Sequence, residues 1–203
     1  MIGGSTRVFA ILGQPVSHSL SPAMHNAAFR ALGLDAVYVA IPCDTSQVAP
    51  LMRTLAAARG GGNVTAPHKE AARRAAEHES DIVTRADACN TFFGRGGALH
   101  AENTDIVGVA ASLSMLESPP SSGVLILGTG GAARAATLAA IARSCPVAVR
   151  SRSDERRAAF ERWAESQGGD IAVERECLSV INATPLGHGA DDQLPAEPAG
   201  LPP

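Results

Sequence analysis

Polar side chains that can bind or activate a small molecule recur in the first half of the chain, where predicted strands end and helices begin. Asn63 and Thr65 lie at the end of a short strand, and Lys69 stands in the first turn of the next helix. Asn90 and Asp105 lie near two further element ends. Because ligands bind at the carboxyl ends of strands in open α/β sheets, we expect these groups to face a ligand. Taken singly, each also has an ordinary role, as a solvated lysine, a turn asparagine or a first-turn acid.

Two serines, Ser19 and Ser21, precede a helix that we predict from Pro22 to Leu32. Ser21 occupies the position of an N-cap, Pro22 that of the first helical residue and Gly33 that of the C-terminal stop. Helix capping is therefore as good an explanation of Ser21 as ligand binding is.

The second half opens with a dinucleotide-binding pattern. The buried strand Val124–Leu127 is followed by Gly128-Thr129-Gly130-Gly131-Ala132-Ala133 and an alanine-rich helix. The glycines permit a tight turn, and backbone N–H groups at the helix start face a pyrophosphate. The next predicted strand ends in Arg150-Ser151-Arg152-Ser153, where an NAD site carries an acidic residue for the ribose. Because guanidinium groups bind phosphate in a bidentate manner, we predict NADP(H), the alternative being surface arginines at a solvated helix start.

Strand-like and helix-like runs alternate along the chain, which predicts an α/β fold with parallel strands. Strands are predicted near residues 8–12, 36–41, 62–66, 124–127, 146–149, 171–173 and 179–182. Helices are predicted near 22–32, 46–58, 67–78, 104–116 and 154–167, with another that ends near 142. Residues 94–97 form the turn of a predicted hairpin, 89–93 with 98–100. We predict a domain over 1–105 and another over 106–203, with a linker helix at 104–117 and a boundary loop at 118–122.

Composition excludes several classes of function. The chain has 203 residues, 45% of them hydrophobic, and a formal net charge of −3, which gives no sign of a nucleic-acid or membrane surface. The four cysteines form no C-x-x-C pair and the six histidines are dispersed, so we predict reduced thiols, a cytoplasmic protein and no metal site. Neither a signal peptide nor a membrane span is indicated.

Taken together and in this order, the motifs resemble those of the shikimate dehydrogenase family. They are H-S-x-S-P-x-x-H-N over His18–Asn26, N-V-T-x-P-x-K over Asn63–Lys69, N-T at Asn90-Thr91, N-T-D over Asn103–Asp105, G-x-G-G-A over Gly128–Ala132, a cofactor clamp at Ser151-Arg152-Ser153 with Arg156, and N-A-T-x-x-G over Asn182–Gly187. The resemblance spans residues 7 to about 189.

This resemblance implies two α/β lobes with a cleft between them, the second being a Rossmann-like NADP-binding domain. It assigns substrate binding to Ser19, Ser21, Asn63, Thr65 and Asn90, with the two serines on the substrate carboxylate. It makes Lys69 and Asp105 the catalytic pair. It assigns cofactor binding to Gly128, Gly130, Gly131, Ala132, Ser151, Arg152, Ser153, Arg156 and Thr184.

The reaction that the resemblance implies is the reversible reduction of 3-dehydroshikimate to shikimate with NADPH, in aromatic amino-acid and chorismate biosynthesis. Lys69 stabilises the charge that develops on the carbonyl oxygen and donates a proton, while Asp105 holds the lysine and a substrate hydroxyl. A small-molecule substrate, a monomer or homodimer and a cytoplasmic location are the corresponding expectations.

The sequence departs from the family pattern at a few positions. Asp87 replaces a usual glycine, Cys89 a usual valine, and Ala101-Glu102 a common Gly-Asp. These changes leave quinate or an amino analogue of shikimate open as the substrate. A catalytically weak protein that binds shikimate and NADP is a second alternative, and a folate-linked dehydrogenase is a third. Because family members usually continue further, we also expect a cofactor domain that is incomplete at its C-terminus.

Overall fold

The computed structural model describes residues 2–116, 119, 121–187, 192–197 and 200–201. The chain divides into two compact units between Thr104 and Asp105, which we call the first unit and the second unit. Of the predicted boundary loop at 118–122, residues 118 and 120 lie outside the described residues. No helix in the described part of the chain is both long and apolar enough to cross a bilayer.

The first unit is an α/β structure. Its elements are β1 (Arg7–Gly13), α1 (Ser21–Ala31), β2 (Ala36–Pro42), α2 (Thr45–Ala57), β3 (Gly61–Val64), α3 (Lys69–Ala75), β4 (His78–Glu79), α4 (Asp81–Ala86), β5 (Thr91–Arg95) and β6 (Ala98–Glu102). They form a six-stranded sheet in the order β2-β1-β3-β5-β6-β4. Strands β2, β1 and β3 are parallel, as the alternating pattern predicts, whereas β5 runs antiparallel to both β3 and β6. The predicted hairpin accounts for the antiparallel pairing of β5 with β6.

Helix α2 anchors the core of the first unit. Its buried residues Val48, Met52 and Leu55 recur at the spacing of one helix face. They pack in one cluster with Leu12 of β1 and Phe92 of β5. The cluster holds the central strands in place, and candidate residues such as Asn63, Thr65 and Asn90 lie at or next to the ends of these strands.

One helix prediction in the first unit is wrong, and two short elements are not predicted at all. The helix predicted over 67–78 covers only Lys69–Ala75, because Ala76 has an extended backbone and the chain continues into β4. Strand β4 and helix α4, the latter capped by the Ser80 hydroxyl, are not predicted from the sequence. Both are too short for a hydrophobic period to reveal them.

The second unit is also α/β. Its elements are α5 (Asp105–Met115), β7 (Gly123–Leu127), α6 (Gly131–Ile141), β8 (Val147–Arg150), α7 (Asp154–Ser166), a 3-10 turn (Glu174–Glu176) and β9 (Cys177–Asn182). The sheet is parallel in the order β8-β7-β9. Every residue of β7 is buried, and α6 packs alanines such as Ala133, Ala136 and Ala140 into the core beside it. The strand predicted at 171–173 is reduced to one bridge, between Ile171 and Val147.

Candidate active site

The loops that follow β1 and β3 lie side by side. The two strands are parallel neighbours, with Leu12 paired to Val64, so their carboxyl ends meet at one edge of the sheet. The Thr65 N–H donates to the Leu12 carbonyl at 2.9 Å, which holds the loop after β3 against β1. A Cβ atom on Gly13 would lie 2.4 Å from Thr65 Cγ2, so glycine is required for this approach. Thr65 is therefore held in place at the ligand-binding edge.

The two serines of the first loop are arranged differently from the prediction. The N-cap of α1 is Leu20, and Ser21 is already the first helical residue, so the expected cap at Ser21 is wrong. The Ser21 N–H donates to Ser19 Oγ at 3.2 Å, which brings the two residues together at the start of the helix. Pro22 near the helix start has no N–H to cap, which is why the helix begins without a side-chain cap. The Ser21 hydroxyl is thus not used as a cap.

Asn63 is oriented by three hydrogen bonds. Tyr38 Oη donates to Asn63 Oδ1 at 2.6 Å. Asn63 Nδ2 donates to the Asn90 carbonyl at 3.2 Å and to Thr91 Oγ1 at 3.0 Å. Burial raises the pKa of Tyr38, so its hydroxyl remains a donor at neutral pH. Since both amide hydrogens are used within the protein, the second lone pair of Oδ1 is what Asn63 offers to a ligand hydroxyl.

Tyr38 is itself held by α1. Asn26 Nδ2 donates to the Tyr38 carbonyl at 2.8 Å, and the Tyr38 N–H donates to Asn26 Oδ1 at 2.9 Å. The Tyr38 ring stacks on His25 with a centroid distance of 4.3 Å. The asparagine and histidine that end the H-S-x-S-P-x-x-H-N motif therefore position the helix and the tyrosine.

Asn90 belongs to a second group of polar contacts. Its Oδ1 accepts from the Thr104 N–H at 2.9 Å and from Thr91 Oγ1 at 2.8 Å. Its Nδ2 donates to Thr104 Oγ1 at 3.1 Å. Asn103 is almost fully buried and donates to the Ala88 carbonyl at 2.9 Å. The N-T and N-T-D motifs thus join the start of β5 to the end of β6.

Lys69 is the first residue of α3 and is half-buried. The N-cap residue before it, His68, is 2% exposed, and its ring nitrogens contact the Cys43 carbonyl at 2.8 Å and Thr45 Oγ1 at 3.1 Å. The Lys69 carbonyl accepts from the Cys89 N–H at 2.9 Å. The backbone of Lys69 is therefore fixed on both sides.

Lys69 is also the only lysine in the chain, which has 16 arginines. This count was available from the sequence and is a signal that motif analysis missed. Arginine supplies charge but does not release its proton at working pH, whereas lysine can do both.

Asp105 is the first residue of α5 and belongs to the second unit. It is half-buried and follows Thr104, whose contacts are described above. Because Lys69 belongs to the first unit, the pairing of these two side chains stays a prediction. No group of His, Cys, Asp or Glu suited to a metal occurs among the described residues.

The glycine loop of the second unit connects β7 to α6. Gly128 has a φ of +112°, and a Cβ there would lie 3.0 Å from the Ala183 carbonyl oxygen, so glycine is required. Gly130 is the N-cap of α6, and no atom lies within 4 Å of a Cβ built there. Gly131 and the exposed Ala132 begin the helix. A helix start of this kind can bind an anion through its first N–H groups, so the pyrophosphate site stays a prediction.

Ser151 and Ser153 shape the loop after β8. The Ser153 N–H donates to Ser151 Oγ at 3.3 Å, and Ser153 Oγ accepts from the Arg156 N–H at 3.3 Å. Ser153 is therefore the N-cap of α7, as predicted. The Gly128 N–H donates to the Arg150 carbonyl at 2.9 Å, which places this loop beside the glycine loop.

The arginines near this loop fall into two groups. Arg150 pairs with Glu174, and Arg157 pairs with Asp154 and Glu161. Arg152 and Arg156 are exposed, and in the described part of the chain neither has a carboxylate within 4.0 Å. The assignment of Arg152 and Arg156 to a cofactor phosphate stays a prediction.

Thr184 lies in a small hydrogen-bonded loop after β9. Its N–H and hydroxyl both donate to Asn182 Oδ1, at 2.9 and 2.7 Å, and its Oγ1 accepts from the Leu186 N–H at 3.2 Å. Thr184 Cγ2 would lie 3.2 Å from a Cβ on Gly128, so this loop abuts the glycine loop.

The departures at Asp87 and Cys89 have local explanations. Asp87 has a φ of +51°, a conformation that favours glycine, and its carboxylate pairs with Arg73. Cys89 is fully buried, and burial raises the pKa of its thiol to about 11. Both differences are thus accounted for by contacts within the first unit.

Comparison with known proteins identifies one family. Residues 11–92 match the family model described as the shikimate dehydrogenase substrate binding domain. The shikimate dehydrogenase (NADP(+)) of Gluconobacter oxydans is 37% identical over 198 residues, which cover 93% of this chain and 70% of that protein. The shikimate dehydrogenase (NADP(+)) of Geobacter sulfurreducens is 43% identical over 203 residues, which cover 92% of this chain and 71% of that protein. The crystal structure of shikimate 5-dehydrogenase from Thermus thermophilus in complex with NADP(H) and shikimate is similar with a TM-score of 0.76 at 35% identity, covering 89% of this chain and 69% of that one.

Proposed function

The chain belongs to the shikimate dehydrogenase family, and we propose on that basis that it catalyses the reversible NADP-dependent reduction of 3-dehydroshikimate to shikimate. The first unit carries the substrate residues and the second unit carries the cofactor residues. The observation that supports this most strongly is the placement of the only lysine of the chain, Lys69, at the start of α3 beside Cys89. Because it is the one lysine of the chain, it is the residue that we assign as the proton donor.

Substrate binding uses the loop after β1, the end of β3 with the loop that follows it, and the residue that precedes β5. Ser19 and Ser21 hydrogen-bond the carboxylate at the start of α1, where the helix dipole favours negative charge. Asn63 accepts a hydrogen bond from a ring hydroxyl through Oδ1. Thr65 and Asn90 contact the remaining hydroxyls, and the bonds that hold them reduce the reorganisation needed on binding.

Cofactor binding uses the glycine loop and the two exposed arginines. The N–H groups of Gly130 and Gly131 face the pyrophosphate, and Gly128 and Ala132 allow the backbone to approach it. The 2′-phosphate is surrounded by Arg152, Arg156, Ser151 and Ser153. The nicotinamide lies near Thr184. When bound, the cofactor supplies a hydride.

Proton transfer is the part of the chemistry that the chain's own residues perform. Negative charge develops on the substrate carbonyl oxygen during reduction, and the Lys69 ammonium stabilises it and donates a proton. In the reverse direction Lys69 accepts the proton of the substrate hydroxyl. Asp105 orients the ammonium and an adjacent substrate hydroxyl.

The test separates charge from proton transfer. We expect K69A to lower kcat by about 10²–10⁴-fold with a smaller change in KM, because a positioned proton-transfer group contributes that much. K69R retains the positive charge but cannot release a proton at neutral pH, so it should lose nearly as much kcat. The matched control is R74K, which also exchanges an arginine and a lysine but on the exposed face of the same helix. It should leave kcat unchanged. Normal turnover by K69A, or full activity in K69R, would exclude this role.

Substrate identity is tested with a panel of shikimate, quinate and aminoshikimate, each with NADP⁺ and NAD⁺. We expect the highest kcat/KM with shikimate and NADP⁺. Binding of shikimate and NADP⁺ without turnover would instead identify a catalytically weak binding protein.

The compartment and the assembly state are also proposals. The four cysteines are buried free thiols, which supports a reducing compartment such as the cytoplasm. A monomer and a homodimer are distinguished by sedimentation of the full chain.

A further inference from the structure

A basic pocket lies in the first unit at the end of the sheet opposite to the substrate residues. It is formed where β1 begins, where α2 ends and where the hairpin turn joins β5 to β6. The substrate residues follow the other ends of β1 and β3. The volume of the pocket is about 490 Å³, which is within the range of small-molecule sites. Size alone therefore admits a ligand larger than a single inorganic ion.

The lining of this pocket is strongly positive. Arg7, Arg53, Arg59 and Arg95 contribute four positive charges, and Glu77 contributes one negative charge. The resulting formal charge of +3 contrasts with −3 for the whole chain. Four of the 16 arginines of the chain thus gather around one pocket. Such a local excess attracts anions by electrostatic focusing.

The guanidinium groups of this pocket make no ion pair in the described part of the chain. Within residues that the structure describes, none of the four arginines has a carboxylate within 4.0 Å or donates a side-chain hydrogen bond. Arg7 lies 5.8 Å from the centre of the Phe9 ring. Glu77 is engaged elsewhere, since its Oε2 accepts from the Leu99 N–H at 3.1 Å.

The end of helix α2 does not explain these arginines. Its last carbonyls already accept hydrogen bonds from the backbone. The N–H groups of Ala58 and Arg59 donate to them at 3.1 Å, and the N–H of Gly60 donates at 2.9 Å. This is the usual helix-ending motif with a left-handed residue, and glycine is the residue that favours that conformation. Here the residue is Arg59, with a φ of +63°. An arginine is thus kept where glycine would be more stable.

The hairpin completes the pocket through glycines. A Cβ on Gly94 would lie 2.4 Å from the Ala56 carbonyl oxygen, so glycine lets the hairpin contact the end of α2. Gly96 and Gly97 both have positive φ, which gives a two-residue turn of the type that hairpins favour. Arg95 is held next to this turn, paired with Ala98 across the strands.

From these observations we propose that the pocket lined by Arg7, Arg53, Arg59 and Arg95 binds a small phosphorylated molecule that carries two or more negative charges. Arginine suits this ligand because its planar guanidinium binds phosphate oxygens in a bidentate manner. The site is separate from the cofactor residues, which belong to the second unit. It does not depend on the proposed dehydrogenase activity.

The test is a calorimetric titration of the full chain with inorganic pyrophosphate. We expect binding that remains in R152S/R156S, a variant that removes the arginines assigned to the 2′-phosphate, and that remains when the cofactor site is saturated with NADP⁺. R53S/R95S should weaken the affinity at least tenfold, because two charge-assisted contacts are lost. R30S removes an exposed arginine from the last turn of α1 in the same unit, and it should change the affinity less than twofold.

R59G keeps the test independent of folding defects. Glycine relieves the left-handed strain at this position, so R59G should raise the melting temperature while it weakens pyrophosphate binding. Three results would overturn the proposal: no pyrophosphate binding by the unmodified chain, loss of binding in R152S/R156S but not in R53S/R95S, or equal affinities for R59G and the unmodified chain. Failure of the dehydrogenase assay would affect none of these outcomes.

Discussion

The hydroxyl of Tyr38 offers the most direct test of how the first unit prepares its substrate residues. It is the only tyrosine of the chain, its side chain is almost fully buried, and it donates to Asn63 Oδ1 at 2.6 Å. Tyr38→Phe removes that donor and keeps the ring that stacks on His25. The substitution therefore changes one hydrogen bond and little else.

The expected magnitude follows from that single bond. A typical intramolecular hydrogen bond contributes about 1 kcal/mol, which corresponds to about fivefold in an equilibrium or rate constant. Asn63 loses the contact that fixes its amide orientation, so we expect KM for shikimate to rise by about fivefold. Lys69 and the cofactor residues are untouched, so kcat and KM for NADP⁺ should stay within about twofold of the original values. The same loss should lower Tm by about 2–4 °C for a protein of this length.

The assay is steady-state NADP⁺ reduction with shikimate, combined with thermal unfolding. Because burial raises the pKa of Tyr38, its hydroxyl stays protonated. The ratio of the KM for shikimate in Y38F to that in the unmodified chain should therefore be constant between about pH 6 and pH 9. The matched control is T84V, which removes a hydroxyl that donates to Glu79 Oε1 at 2.8 Å in the same unit but away from Asn63. T84V should leave KM for shikimate unchanged.

Three results would refute this reasoning. An unchanged KM in Y38F would mean that Asn63 does not need the tyrosine. An equal rise in T84V would indicate a general loss of stability rather than a local effect. A fall in kcat with constant KM would assign Tyr38 to the chemical step.

The other predictions concern cofactor binding, backbone strain and acid stability. R152S should raise KM for NADP⁺ by at least about tenfold and leave KM for NAD⁺ nearly unchanged, because it removes a charge-assisted contact to the 2′-phosphate; equal effects on both cofactors would contradict this role. Gly128→Ala should lower Tm and weaken NADP⁺ binding, since a Cβ would lie 3.0 Å from the Ala183 carbonyl oxygen at a φ of +112°; an unchanged Tm would show that the loop adapts freely. Arg73 lowers the pKa of Glu79 in the folded protein, so the unfolded chain binds more protons at low pH. The stabilisation by Glu79 is therefore full above the ordinary carboxyl pKa of about 4.3 and is lost as pH falls through the lower pKa of the folded state. Urea unfolding should therefore show E79Q as less stable at pH 7 and this difference as much smaller near pH 3, whereas a difference independent of pH would contradict the ion pair.

Several features were predictable because they depend on local sequence. The glycine loop follows from the conformations that glycine alone adopts, and the cap at Ser153 follows from the N–H groups left unpaired at a helix start. Ser21 shows the limit of such reasoning, because serine before proline is compatible with either the cap or the first helical position. In the structure Ser21 is the first helical residue.

The polar network of the first unit could not be predicted from the same patterns. Tyr38, Asn63 and Asn90 are separated by about 25 residues at each step, yet they form consecutive hydrogen bonds. The pairing of β1 with both β2 and β3, together with the pairing of β3 with β5, brings them together. Single-sequence periodicity carries no information on that pairing.

The sequence by itself determined the residue types available for chemistry: one lysine, a glycine loop before a helix, and arginines where an acidic residue would bind NAD. It also determined the alternation of strands and helices, since hydrophobic period and backbone freedom are local properties. Only the tertiary structure decided which arginines have no carboxylate nearby among the described residues and which amide hydrogens are already used. Those properties depend on contacts between distant segments, so Arg150 pairs with Glu174 while Arg152 and the four arginines of the basic pocket stay available to an anion.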